Sequence, residues 1–182
     1  MHRRLHGCHA LTARPGPAPD PGLPGRIAAD DPRTPDVSEL LARHLAFAHS
    51  HTGAEHVHAL NIDGLLDPAI AFFSYREGAE LLAVGALKHL EPGHAEIKSM
   101  HTAQAARGRG VGRAMLSHLI GVARERGCTR ISLETGAIAA FAPARALYAS
   151  AGFVPCGPFG DYAESPFNTF MTLTLNGTHP PA

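Results

Sequence analysis

The feature that most constrains the fold of this chain is the glycine-rich stretch at residues 107–113. It reads RGRGVGR, with three glycines and three arginines in seven residues. The polar, alternating segment 94–103 before it predicts a β-strand, and the apolar spacing after it predicts a helix over about 110–126. At such a helix start, glycines let an anion approach the unpaired backbone N–H groups, and the helix dipole and arginines attract it. The stretch therefore predicts an anion site inside an α/β architecture.

The order of the other elements predicts the fold class. Strands are expected over residues 26–32, 69–77, 80–90, 94–103 and 129–134 and in two further C-terminal segments, and the main helices over 35–50, 110–126 and 142–151. Clustered strands without a regular βαβ repeat indicate an α/β fold of the α+β type. Its sheet is expected to be mixed, mainly antiparallel and six- to seven-stranded, with flanking helices. Within 94–103, alternation predicts Glu96, Lys98, Met100 and Thr102 on one face and Ile97, Ser99 and His101 on the other.

Length and composition predict one folded domain. The 182 residues suffice for a single core. Residues 14–25 hold five prolines in twelve positions, so residues 1–25 are expected to be a disordered extension. The domain is expected over 26–176, with a short tail at 177–182.

Charge and cysteine content exclude several classes of function. Sixteen basic and sixteen acidic residues cancel, so no net field recruits nucleic acid or a membrane surface. No apolar run is long enough to span a bilayer, and no apolar stretch follows the basic N-terminus to form a signal peptide. Three widely spaced cysteines suit a reduced, cytoplasmic protein.

A histidine-rich segment covers residues 44–58 and holds five of the chain's thirteen histidines. Its spacing matches no known ligand geometry, so no metal site is predicted. Histidines that line an acceptor pocket are the favoured interpretation, since imidazole titrates in the range needed for proton transfer.

Three kinds of anion site compete for the glycine turn. A P-loop requires GK[ST], which is absent, and a dinucleotide turn requires GxGxxG, which fails because Arg113 or Met115 takes the third glycine position. The third kind fits. Residues 107–112 match the Q/R-x-x-G-x-G/A turn of the GNAT N-acetyltransferase superfamily, and ARALYASAGF at 144–153 resembles that family's following helix and strand. The resemblance extends over about residues 26–176 and includes a bacterial subgroup of small predicted acetyltransferases.

The resemblance implies acetyl-CoA as acyl donor and no metal. It places the pyrophosphate on the turn and the pantetheine arm on the backbone of a strand that splays from its neighbour. The implied cofactor-binding residues are Met100, His101, Thr102, Arg107, Gly108, Arg109, Gly110, Val111, Gly112, Arg113, Phe141 and Arg145. Phe141 stands where many members have asparagine, so it offers packing alone, and Arg145 is expected to compensate by reaching a phosphate.

The resemblance also implies the catalytic groups. Tyr148 corresponds to the tyrosine that protonates the departing thiolate, and Glu96 to a carboxylate general base, acting directly or through water, with Glu134 as the alternative base. Cys156 has no activating neighbour in the sequence, so direct transfer in a ternary complex is preferred to an acyl-cysteine intermediate.

The implied activity is transfer of an acetyl group to a primary amine. A non-catalytic acyl-CoA-binding module on the same fold is the alternative. The acceptor is not identified, and its pocket is expected from residues 44–75 and 156–168, with Phe72, Phe73, Tyr75 and Asp161 in the wall. The oligomeric state is open, with a homodimer among the options.

Overall fold

The computed structural model describes residues 24–51 and 61–175, with a single mixed sheet at the centre. Most of the expected N-terminal extension and the C-terminal tail therefore lie outside the described residues, as do His56 and His58. The seven strands are β1 (Arg26–Ala29), β2 (Ile70–Glu77), β3 (Glu80–Glu91), β4 (His94–Thr102), β5 (Arg130–Gly136), β6 (Val154–Cys156) and β7 (Asn168–Thr174). They are ordered β1-β2-β3-β4-β5-β7-β6, which confirms the mixed α+β class predicted from the sequence.

Four α-helices accompany the sheet in the described residues: α1 (Pro35–His51), α2 (Ile62–Leu65), α3 (Val111–Glu125) and α4 (Ala142–Ser150). The predicted boundaries of α1, α3 and α4 agree with these to within one residue. α3 ends as its sequence predicts, because Gly127 adopts a φ of +74° just beyond the Arg126 cap. None of the helices in the described ranges combines the length and hydropathy of a bilayer span.

The two faces of the sheet are covered by different helices. The α3 face carries the larger core, in which Val111, Met115, Leu119 and Val122 of the predicted apolar stripe are at most 2% exposed. On the opposite face, α1 packs Val37, Leu40 and Leu41 against Val84 and Ala86 of β3. From Ala83 to Leu87 the odd and even residues of β3 thus point to different cores, as the pleat requires.

β4 and β5 are the parallel pair, and they separate halfway along. Their register runs from His94 opposite Arg130 to Ile97 opposite Leu133. Beyond that point β4 continues to Thr102 and β5 to Gly136 without pairing with each other. A wedge therefore opens at the centre of the sheet, as the family resemblance implies.

A bulge at Ser99 changes the side-chain pattern of β4. Ser99 has a φ of +50°, and two β4 residues stand opposite the single residue Gly85 of β3. The predicted alternation is therefore wrong beyond Lys98. His101 shares the α1 face with Glu96 and Lys98, while Thr102 turns to the α3 face, because their β3 partners are Val84 and Ala83 respectively.

Candidate active site

A cleft of about 640 Å³ occupies the wedge between β4 and β5. It extends from the start of α3 to the carboxylates at the base of the wedge, and it is bounded by α1 and α4. The lining residues from the predicted site are Glu96, Met100, His101, Thr102, Arg107, Gly108, Gly110, Val111, Gly112, Arg113, Phe141 and Tyr148. The fold therefore brings nearly all of the predicted site residues to one cavity.

The glycine turn presents backbone N–H groups to this cleft. Gly108 and Gly110 have φ values of +74° and +84°, a conformation that non-glycine residues rarely adopt. Gly110 is the N-cap of α3, and the first intrahelical hydrogen bond runs from Ala114 N–H to the Gly110 carbonyl at 3.0 Å. The N–H groups of Val111, Gly112 and Arg113 consequently have no acceptor within the helix, which suits a bound anion.

Gly112 is required by close packing rather than by its backbone angles. A Cβ at this position would lie 3.2 Å from Thr102 Oγ1 and 3.5 Å from Leu147 Cδ2. The start of α3 therefore sits tightly between β4 and α4, which brings the turn to the mouth of the wedge.

The four arginines of the predicted site have different surroundings. Arg107 and Arg113 line the cleft, and Arg107 Nε donates to the Thr102 carbonyl at 3.4 Å. Arg109 turns away and pairs with Glu77 at 2.8 Å. Only the first two side chains lie where a phosphate on the turn could reach them.

The predicted role of Arg145 as a phosphate ligand is not supported by its position. Its Nη1 donates to the carbonyls of Gly136 and Ile138, at 2.6 and 2.9 Å, and the side chain does not line the cleft. Arg145 instead holds the end of β5 against α4.

Phe141 offers packing alone, as expected from its chemistry. Its ring lies directly against Gly136, where any Cβ would collide with it. It also meets Phe47 of α1 edge to face, with ring centroids 5.3 Å apart. The two rings form an apolar wall on one side of the cleft.

The β4 backbone from Met100 to Thr102 borders the open side of the wedge. Ala103 N–H donates to Leu82 O on β3, so the alternation of a strand directs the Thr102 N–H and carbonyl to the other side. An extended, amide-bearing ligand can add to this edge as an extra strand. These features, together with the free α3 N–H groups, fit the pantetheine and pyrophosphate of a coenzyme A thioester.

Glu96 is the more enclosed of the two candidate bases. It is 2% exposed, and its Oε1 accepts hydrogen bonds from Tyr162 Oη at 2.5 Å and from Lys98 Nζ at 3.2 Å. Both donors would have to be displaced before that oxygen could take a proton from a substrate. The sequence did not predict Lys98 or Tyr162 as site residues. The alternation of β4 does, however, predict that Lys98 lies on the same face as Glu96.

Glu134 lies farther along the wedge, on β5, and lines the same cleft. Burial raises its pKa to about 7, the negative charge of Glu96 adds to the rise, and Lys98 opposes it. A carboxylate with a pKa near 7 is well matched to general-base catalysis at neutral pH.

Tyr148 reaches the cleft from α4. Its side chain is 7% exposed, and its ring packs near Phe153. Burial, with a contribution from the charge of Glu134, raises the pKa of the phenol to about 12. The phenol is therefore protonated at neutral pH and can donate a proton.

Four residues predicted for the acceptor wall do not line the cleft. Phe72, Phe73 and Tyr75 are core residues, at most 6% exposed, and do not reach the cleft. Their alternation along β2 sends them into the two cores instead. The exposed Asp161 does not line the cleft either.

Two histidines, His44 and His101, line the cleft. Their rings lie 4.9 Å apart, and burial lowers the pKa of each to about 4, so both are neutral at pH 7. The bulge at Ser99 brings His101 to this face. Of the histidines in segment 44–58, His44 lines the cleft, whereas the exposed His49 does not. A role for His44 in binding the acceptor stays a prediction.

Two other sequence hypotheses concern metals and Cys156. Within residues 24–51 and 61–175, no group of three or more His, Cys, Asp or Glu side chains is placed to hold a metal ion. Cys156 lies outside the main cleft, and burial raises the pKa of its thiol, which disfavours the reactive thiolate.

The anion-binding helix start, the wedge between two parallel strands and the buried tyrosine define an acyl-CoA-dependent acyltransferase. The sequence profile of the Acetyltransferase (GNAT) family matches residues 35–153, and this chain belongs to that family. Membership confirms the predicted enzyme class, an N-acetyltransferase with acetyl-CoA as the acyl donor.

Curated relatives support the same assignment over nearly their whole length. The chain is 45% identical to the uncharacterized N-acetyltransferase YsnE of Bacillus subtilis, over 82% of this chain and 99% of the relative. It is 41% identical to the uncharacterized N-acetyltransferase YedL of Escherichia coli, over 82% and 94% of the two chains.

The fold is also found in solved acetyltransferase structures. A Bacillus subtilis acetyltransferase in complex with CoA superposes with a TM-score of 0.63 at 19% identity, covering 83% of this chain and 99% of the other. Because the sequence identity is low, this comparison concerns the fold alone, and it confirms the predicted fold.

Proposed function

We propose that this chain transfers an acetyl group from acetyl-CoA to a primary amine by direct attack, with Glu134 as the general base and Tyr148 as the general acid. The observation that carries the proposal is that both groups line one cleft and influence each other electrostatically. The base then stands on β5 rather than at Glu96, the position expected from the family resemblance.

The proposed chemistry follows from these positions. Glu134 takes one proton from the substrate ammonium, so that the nitrogen has a free electron pair. As the amine nitrogen bonds to the thioester carbonyl carbon and the C–S bond breaks, Tyr148 donates its phenol proton to the departing thiolate sulfur. The acylated nitrogen gives up its second proton to the Tyr148 phenolate, directly or through water, which leaves a neutral amide and restores the phenol. The proton held by Glu134 returns to solvent.

The chain's own residues position the two reactants. The α3 N–H groups, Arg107 and Arg113 hold the pyrophosphate, and the β4 edge aligns the pantetheine with the wedge. A β4 backbone N–H at the wedge can also polarise the thioester carbonyl, as an oxyanion hole does. Glu134 then meets the thioester from β5, and Tyr148 meets it from α4.

The alternative function is a non-catalytic acyl-CoA-binding module. It is favoured by Phe141 alone, because phenylalanine cannot make the hydrogen bonds to the cosubstrate that an asparagine would make at this position. The acceptor, a cytoplasmic location and a homodimer stay predictions. The acceptor end combines carboxylates, neutral imidazoles and the aromatic Phe47 and Phe167, so it suits a small amine, an amino acid or a peptide.

The test is thiol release from acetyl-CoA with a panel of amines, for the unmodified chain and for Glu134→Gln. Loss of the base is expected to lower kcat by about 10²–10³ while CoA affinity stays unchanged. Glu125→Gln, which removes a carboxylate at the end of α3, is the matched control. CoA binding without turnover of any amine would instead support the non-catalytic module.

A further inference from the structure

A buried group of three polar residues has no part in the proposed proton transfers. In this Lys98–Glu96–Tyr162 triad, Lys98 Nζ donates to Tyr162 Oη at 2.5 Å and to Glu96 Oε1 at 3.2 Å, and Tyr162 Oη donates to the same Glu96 oxygen. The side chains of Lys98 and Glu96 are 9% and 3% exposed. Buried charges are costly unless they are paired, and here Lys98 and Glu96 pair with each other.

The register of the sheet places the triad beside Glu134. Glu96 stands opposite Ser132 in the parallel pair, and Glu134 follows Ser132 by two residues on the same face. Lys98 likewise follows Glu96 by two residues. The pair Lys98 and Glu134 therefore stands where the two strands begin to separate.

The hydrogen bonds of the triad hold the Glu96 side chain in one position. Two donors, Lys98 Nζ and Tyr162 Oη, converge on one carboxylate oxygen. Tyr162 is held in turn by its ring contacts with Phe159 and Phe170, with centroids 5.2 and 5.5 Å away. The carboxylate is thus held at one place on β4.

We propose that the Lys98–Glu96–Tyr162 triad is a positioning group, which holds a fixed charge pair beside Glu134 and so sets how readily Glu134 takes the proton of the acceptor ammonium. This inference rests on the proposed role of Glu134. Glu96 favours the protonated form of its neighbour, and Lys98 favours the ionised form. The pKa of Glu134 therefore depends on the balance between the charges of Glu96 and Lys98.

Other ionisable groups around Glu134 are few in the described part of the chain. β4 contributes Glu96 and Lys98, α4 contributes Tyr148, and the connection between β6 and β7 contributes Tyr162. The direct partner on β7 is Phe170, which does not titrate. His44 of α1, across the cleft, is neutral at working pH because burial lowers its pKa to about 4.

The experiment compares kcat/KM against pH for the full chain and for two opposite charge changes. The unmodified enzyme is expected to show a rising limb centred near pH 7, from the pKa of Glu134. Glu96→Gln should move that limb to lower pH by about half to one unit, and Lys98→Gln should move it to higher pH by a similar amount. Opposite shifts cannot arise from general damage to the fold. Arg124→Gln, an exposed charge removal on α3, should leave the limb in place.

A further variant separates failure of this inference from failure of the proposed base. Glu134→Gln should abolish the rising limb. If the limb survives in Glu134→Gln, the proposed base is wrong. If it is abolished there but Glu96→Gln and Lys98→Gln leave it at the position of the unmodified enzyme, Glu134 is the base and the triad has no influence on it.

Discussion

The phenol oxygen of Tyr162 lies 2.5 Å from Oε1 of Glu96, and the bond joins residues 66 positions apart in the sequence. It connects the loop between β6 and β7 to the face of β4. The loop therefore covers the carboxylate that the family pattern indicates as a base. The other carboxylate that lines the cleft, Glu134, is not hydrogen-bonded by this loop in this way, and it is the one we propose as the base.

Replacing Tyr148 by phenylalanine tests the proposed acid. The change removes one oxygen from a side chain that is 7% exposed and keeps the ring packing. We expect kcat to fall by about 10²–10³, with KM for acetyl-CoA nearly unchanged, because only protonation of the thiolate is affected. Steady-state thiol release measures both constants.

Tyr75→Phe is the matched control for that variant, since Tyr75 is an equally buried tyrosine outside the cleft. It should keep full activity. Equal activity of Tyr148→Phe and Tyr75→Phe across the pH range would show that Tyr148 is not the acid.

Two arginines of the glycine turn are expected to differ in their effect on the cosubstrate. Arg113 lines the cleft, whereas Arg109 pairs with Glu77 at 2.8 Å. Arg113→Ala should raise KM for acetyl-CoA by about tenfold, and the effect should shrink at high salt. Arg109→Ala should change KM by less than about twofold. The same increase in KM for both variants would mean that the turn attracts acetyl-CoA through its total positive charge and not through a contact with Arg113.

We expect that position 112 requires glycine because a side chain there would collide with Thr102, and not because the cosubstrate must contact the bare backbone. The Cβ of Gly112→Ala would lie 3.2 Å from Thr102 Oγ1, so the start of α3 must shift and KM for acetyl-CoA should rise by about tenfold. Thr102→Ala removes that oxygen and should restore KM to within about threefold in the double variant. Titration with CoA measures the cycle. A double variant no better than Gly112→Ala would indicate that the ligand needs the bare backbone.

The stability of the fold should depend on pH through His44 and His101. Their pKa in the folded state is about 4, below the ordinary value of 6.5, so the unfolded chain binds more protons between these values. Stability is complete above about pH 6.5 and is lost as the pH falls toward 4, by at most about 3 kcal/mol for each imidazole. Urea unfolding at several pH values measures the loss.

Variants identify the histidines responsible for that loss. His44→Gln and His101→Gln should each flatten the pH dependence, while the exposed His49→Gln on the same helix as His44 should leave it unchanged. An unaltered slope in both buried variants would assign the pH dependence to other groups.

Local signals explain why much of the fold could be predicted. The α3 stripe, the Gly127 stop and the positive φ values of Gly108 and Gly110 depend on neighbours within a few residues. The position of the glycine turn at a helix start is therefore predicted correctly from the sequence. Arg109 could not be assigned from the same stretch, because its partner Glu77 lies on another strand.

The parts that could not be predicted depend on contacts between distant strands. The bulge at Ser99 arises from pairing with β3 opposite Gly85, and it reverses the faces of His101 and Thr102. Phe72 and Phe73 resemble pocket residues in the sequence, but burial on both faces of β2 places them in separate cores. A strand covered on both sides loses the simple alternation by which a pocket wall can be recognised.

The early separation of β4 and β5 has a mechanical consequence. In the described residues, the pairing of β4 with β5 is limited to the four register pairs from His94 to Ile97, and this pairing joins strands β1–β4 to strands β5–β7. A ligand that lies along the free β4 edge occupies the gap between the two halves. We therefore expect bound cosubstrate to add to the contacts that join the two halves of the sheet, and we expect the halves to be joined less firmly between release of CoA and arrival of the next acetyl-CoA.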